Sequence, residues 1–265
     1  MHALSRFKIS SLCFVLGFAP VCGVFAAGPT LVVDRGLPQA NVNATPVDYR
    51  SNVRWSWYDS GFLGDDFAVG AAGERWVIDT VRVWTVPGAN KIDPEHLGDF
   101  YQDVRLYFGG SASESSDRER SGEGLSPIVT GLLTAGSDQV SNPNVVISDA
   151  TASGVVPYND FGTSLRIWQI DFTQLNLKVE GGAKYRFAAW GLGRPLPNKA
   201  DKTHPWFNVA TNASLASTRQ DGADGEMLLF TSGGKFKSAF DSKGAGWDKS
   251  SDINVQVFGH RADVQ

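Results

Sequence analysis

Asp221, Asp224 and Glu226 put three carboxylates within six residues of a run broken by Gly222 and Gly225. Hard oxygen donors on a glycine-permitted turn suit calcium, with Asp65 and Asp66 as further ligands, although the spacing is not that of an EF-hand. The same run also reads as a solvated acidic hairpin turn. A second chemistry is aromatic. If the stretch Trp55-Ser56-Trp57-Tyr58 is extended, Trp55 and Trp57 share one face, because strand side chains repeat every second residue. Trp190 closes an expected strand, and Trp206 opens another after a proline-rich loop. Exposed rings of this kind stack on the C–H surfaces of sugars while neighbours such as Asp59 and Arg54 bond the hydroxyls. Caps on the core are the other reading of these rings.

Catalysis has thinner support. His96, His204 and His260 lack the i, i+4 spacing of a helical metal pair, and no G-x-S-x-G elbow occurs. Asp66 and Glu226 could serve as the paired carboxylates of a glycoside hydrolase, but their separation decides that chemistry and lies in the fold.

The elements that must position these residues are strands. Short stretches rich in β-branched and aromatic residues, separated by glycine-rich breaks, are expected at 30–33, 67–69, 76–86, 102–108, 126–133, 165–172, 184–190, 207–210, 227–230 and 253–259. Their number and spacing predict an all-β chain, a two-sheet antiparallel sandwich of jelly-roll type in one domain over 28–265. Alternation assigns faces. Val104, Leu106 and Phe108 oppose Arg105 and Tyr107, and Val81 and Val83 oppose Arg82 and Trp84. Trp84 therefore either lies on the outer surface beside an arginine or is covered there by a loop. The polar run 109–124 is expected as a mobile loop, and 134–163 as a loop decorating one end of the sandwich.

Residues 1–27 have the layout of a secretory signal peptide: Arg6 and Lys8, an apolar run over 12–21, then small residues at Ala26 and Ala27. Both cysteines, Cys13 and Cys22, fall inside that segment, which leaves the exported chain without a disulfide, a thiolate metal site or a cysteine nucleophile. Losing Arg6 and Lys8 takes the basic count from 24 to 22 against 28 acidic residues, and the formal charge from −4 to −6. A nucleic-acid or anionic-membrane partner is disfavoured on that charge.

Gly64-Asp65-Asp66-Phe67-Ala68-Val69, followed by Trp76-Val77-Ile78, resembles a "DDF … W-x-I" pattern of secreted bacterial β-sandwich proteins. Val179 to Phe187 looks like that family's "L-x-x-G-x-x-Y-x-F" strand, and Gly246-Trp247 through Val255 like its closing strand. The resemblance implies a sandwich over most of 60–259 and says little of activity. Many such proteins end in a sorting tail with a membrane anchor. Residues 259–265 carry no apolar tail, so release into the periplasm or medium is expected rather than anchoring. The leading expectation is a secreted, non-catalytic module that binds a glycan or cell-surface polymer. A carbohydrate-active hydrolase or lyase and a structural matrix protein are the alternatives.

Overall fold

The computed structural model describes residues 28–38, 51–55, 61–87, 92–112, 127–160, 162–211, 228–231, 236–238 and 252–262. In chain order the strands are β1 (Thr30–Asp34), β2 (Ser51–Trp55), β3 (Gly61–Ala68), β4 (Arg75–Thr85), β5 (Asp103–Ala112), β6 (Pro127–Leu132) and β7 (Val145–Asp149). There follow β8 (Tyr158–Asp160), β9 (Thr163–Leu165), β10 (Trp168–Phe172), β11 (Leu177–Glu180), β12 (Lys184–Trp190), β13 (Pro195–Leu196) and β14 (Lys199–Thr203). The last five are β15 (Asn208–Thr211), β16 (Leu228–Thr231), β17 (Phe236–Ser238), β18 (Asp252–Ile253) and β19 (Val255–Arg261).

Two antiparallel sheets hold most of them. A nine-stranded sheet runs β1-β19-β4-β10-β7, with β11 also on β4, and β2 and β18 joined to it through β15. A six-stranded sheet runs β17-β16-β3-β12-β5-β6. The fold is an all-β sandwich, and strand alternation builds its core. From one sheet Val81, Val83, Ile170, Phe172, Val255 and Val257 point inward; from the other come Phe67, Val104, Leu106 and Phe187. Phe67 and Phe187 pack with ring centroids 5.5 Å apart, tilted by 46°, within the range of about 4.5–7 Å for aromatic pairs.

Glycine corners pass the chain between sheets. Residues 69–74 lead from β3 in one sheet to β4 in the other, and Gly181-Gly182 lead from β11 to β12. The two corners lie on each other, Gly181 N–H donating to the Glu74 carbonyl at 2.8 Å and Gly182 N–H to the Val69 carbonyl at 2.9 Å. A Cβ on Gly181 would sit 2.2 Å from the Ala71 carbonyl oxygen, so only glycine fits there. The V-E-G-G-A-K-Y-R-F stretch is thus two strands in different sheets. The Tyr185 hydroxyl ties them by accepting the Glu180 N–H at 2.8 Å.

The expected decorating loop needs correction. Within 134–163, β7 extends the nine-stranded sheet along β10, with Ile147 opposite Ile170. The polar residues flanking Val145-Val146-Ile147 hide this five-residue strand from a composition-based reading. The chain then folds back over the outer face of the sheet. Ala150, Val155, Tyr158, Leu165 and Ile167 cover Trp84, Val86 and Val209 in a second, smaller core. Trp84 is fully buried there, on an outward-pointing position roofed by its own chain. The expected mobile loop is also shorter at its start, since β5 continues to Ala112; residues 113–126 lie outside the described residues.

Candidate functional site

Beneath the sandwich surface, the DDF stretch proves to be a structural clamp. Asp65 points into the core and Arg35, one residue past β1, reaches it: Arg35 Nη1 lies 2.8 Å from Asp65 Oδ2, both side chains fully buried. The same Nη1 donates to the Ile253 carbonyl at 3.2 Å, and Nη2 donates to the Asp66 carbonyl at 2.5 Å. Asp65 also accepts the Ile253 N–H at 2.6 Å and the Asp66 N–H at 2.7 Å. Burial alone would lower the Arg35 pKa, but Asp65, Asp252 and Asp66 together raise it above its ordinary value. Asp65 is therefore committed to holding three chain segments together. Asp66 turns to the other face, where Lys184 Nζ lies 3.8 Å from its Oδ2.

The outer face of the six-stranded sheet carries the arrangement most suited to binding. Inward positions Val104 and Leu106 of β5 fix the alternate positions Asp103, Arg105 and Tyr107 on the opposite face. On β12 the same alternation puts Lys184, Arg186 and Trp190 half-buried on that face, while Ala188 between them is fully buried. Antiparallel pairing sets Trp190 opposite Arg105, Arg105 opposite Thr130, and Asp103 opposite Leu132. Across that register the Arg105 guanidinium lies 5.2 Å from the Trp190 ring centre, within cation–π range.

Asp103 clamps the guanidinium through two bonds, 2.6 Å from Nη2 to Oδ2 and 3.1 Å from Nε to Oδ1. This hydrogen bonding raises the Arg105 pKa against a smaller opposing effect of burial. Asp103 is itself buried and accepts the Leu192 N–H at 3.1 Å. Asp103 in this way holds the guanidinium beside the ring. Ile128 and Leu132, 40% and 59% exposed, border the group on β6.

A strap over 191–206 supports the group from below. Gln102 N–H donates to the Leu192 carbonyl at 2.7 Å and Arg194 N–H to the Phe100 carbonyl at 2.7 Å. Trp206 ends the strap and corrects one expectation. It is 4% exposed, its Nε1 donates to Asn208 Oδ1 at 3.0 Å, and the Tyr101 ring meets it edge-on at 4.9 Å. A ring sealed in this way offers no face to a ligand. Of the other expected ligand contacts, Trp55 lies on β2 opposite Asn208, its side chain outside the described residues, as are Trp57 and Asp59. Asp221, Asp224 and Glu226 are likewise outside them. Among the described residues, no group of three or more His, Asp or Glu side chains is placed to hold a metal ion.

The histidines divide by environment. His96 Nδ1 contacts Asp138 Oδ2 at 3.1 Å and His260 Nδ1 contacts Asp79 Oδ2 at 2.8 Å, both near the surface. The hydrogen bond that His96 donates to the Asp138 carboxylate when protonated raises its pKa. His204 is buried in the strap, stacked on Phe100 at 3.9 Å, with no hydrogen-bond partner for its Nδ1. Burial pushes its pKa down. The folded state therefore prefers neutral His204, whereas the unfolded chain protonates it near the ordinary value of about 6.5. The contribution is present in full above that value and is lost as pH falls through it toward the lowered folded value. His96 works in the opposite sense, its pairing being strongest when protonated. We expect thermal stability to fall below about pH 6.5 and His204→Leu to flatten that fall. Melting curves across pH test this, and an unchanged slope in the variant would refute it.

Strand alternation puts Arg105 and Tyr107 on one face and Trp190 at the end of its own strand, but nothing in the sequence joins them. The i, i+2 spacing of Asp103 and Arg105 was the available signal; the register of β5 on β12 was not readable. Compared with known proteins, the chain matches no family model, no curated protein and no solved structure.

Proposed function

We propose that the protein is an exported, non-catalytic module that binds a glycan or another polyhydroxylated cell-envelope polymer through the outer face of its six-stranded sheet. The observation that carries this reading is the Trp190–Arg105–Asp103 stack. It combines a partly exposed aromatic ring, a planar donor and a buried carboxylate that holds the donor still. A rigid platform of this kind spends little conformational entropy on binding. Sugars suit it because C–H surface stacks on ring or guanidinium planes while hydroxyls bond the polar edges.

Export is supported by the signal-like layout of 1–27. Intact-mass measurement of the protein released by cells is expected to find 28–265 or one residue more; a full-length mass would refute export by cleavage.

Trp190→Ala is expected to weaken binding on a glycan array about tenfold, ~1.4 kcal/mol, and, because the half-buried ring also packs against the core, to lower the melting temperature by less than Trp206→Ala does. Undiminished binding would overturn the Trp190 site. Running the array with and without chelator also tests calcium at Asp221, Asp224 and Glu226, whose loss is expected to weaken binding or stability.

A further inference from the structure

The outer face of the nine-stranded sheet carries a second ordered polar row. Pairing aligns Asp34 with Gln256, Gln256 with Arg82, Arg82 with Asp171, and Asp171 with Val146. The side chains bond one another in sequence across the strands. Gln256 Nε2 donates to Asp34 Oδ1 at 3.0 Å, and Arg82 Nη1 donates to Gln256 Oε1 at 3.4 Å. Arg82 then grips Asp171 with two bonds, 2.7 Å from Nε and 2.8 Å from Nη2. Gln169 adds a donor to Asp171 Oδ2 at 3.3 Å. Phe258 flanks the row, its ring centre 5.1 Å from the Arg82 guanidinium. Leu31 and Val146, 43% and 50% exposed, stand at its two ends.

The Arg82–Asp171 pair is partly solvent-exposed, at 26% and 15%, and an ion pair so placed adds little to stability. From β1 to β10 the row crosses three strand spacings, about 14 Å. Its one guanidinium lies among two carboxylates and two amides, which leaves no excess positive charge to draw an anionic partner. Planar donors and acceptors beside an aromatic ring repeat the chemistry of the Trp190 face. Gln256 is itself buried, so a neutral sugar on this face would meet chiefly Arg82, Asp171 and the Phe258 ring.

We propose that this row is a second glycan-binding surface, back to back with the Trp190 face, so that one molecule bridges two polymer chains. The inference rests on the reading of the Trp190 face as a glycan site. Sheets of a sandwich pack about 10 Å apart, and their outer faces look in opposite directions, so two chains can bind without meeting. The protein would then join polymers as well as bind them.

The test uses the soluble neutral polysaccharides dextran, galactomannan and mixed-linkage β-glucan, with binding read by affinity electrophoresis and bridging by turbidity. Wild type is expected to bind at least one polymer and to give turbidity that peaks at an intermediate protein-to-polymer ratio. Arg82→Leu with Asp171→Leu removes both charges together, so neither is left unpaired. This variant and Trp190→Ala should each still bind but lose the turbidity peak. If the paired substitution fails to fold, Phe258→Ala, which leaves the hydrogen-bonded row in place, should reduce bridging several-fold. Wild type that binds without bridging would overturn this proposal and leave the Trp190 site standing, as would folded row variants that bridge normally. Wild type that binds none of the polymers would overturn both.

Discussion

Arg35→Ala is expected to lower the free energy of unfolding by about 3 to 5 kcal/mol, the range found when one partner of a buried ion pair is removed. The reason is the set of groups left behind. Asp65 and Asp252, both fully buried, would be left without the guanidinium beside them. The carbonyls of Ile253 and Asp66 would lose their donor in the same step. Replacing Arg35 and Asp65 together by apolar residues should not restore stability, because the backbone N–H groups of Ile253 and Asp66 bond the Asp65 carboxylate. Urea denaturation of the single and double variants measures both statements. A loss under about 1 kcal/mol for Arg35→Ala would mean that water or a shifted side chain replaces the clamp.

Trp206→Ala is expected to cost about 3 to 5 kcal/mol, the usual range for deleting a large buried aromatic side chain. The lost ring would leave space between Tyr101 and Gly191, whose Cα faces the Trp206 ring so closely that a Cβ would approach to 2.5 Å. Asn208 Oδ1 would also lose its indole donor. Chemical denaturation of this variant beside Trp190→Ala separates the two tryptophans by role. Trp206 should register in stability, and Trp190 mainly in binding. A stability loss for Trp190→Ala equal to that for Trp206→Ala would place Trp190 in the core and remove the proposed platform.

Features that depend only on neighbours along one strand are legible in the chain alone. Val81 and Val83 against Arg82, and Val104 and Leu106 against Arg105, declare their faces through a period of two, which backbone pleating imposes regardless of the rest of the fold. The bounds of β12 and nearly those of β4 follow from dense β-branched and aromatic runs ending in polar or glycine-rich segments. Tertiary structure decided everything that depends on which strand lies beside which. Asp65 looked like a possible cation ligand, yet Arg35, thirty residues earlier, claims it inside the core. Trp84 has the alternation of an outward residue and is buried because Ala150, Val155, Tyr158, Leu165 and Ile167 cover it. Trp206 looked like a ring that could be exposed after a proline-rich loop and is sealed by Tyr101. Trp190 met Arg105 only through the register of β12 on β5. Strand alternation is a local property of the chain, whereas sheet order and register are settled by burying the whole apolar face at once, which no single segment encodes.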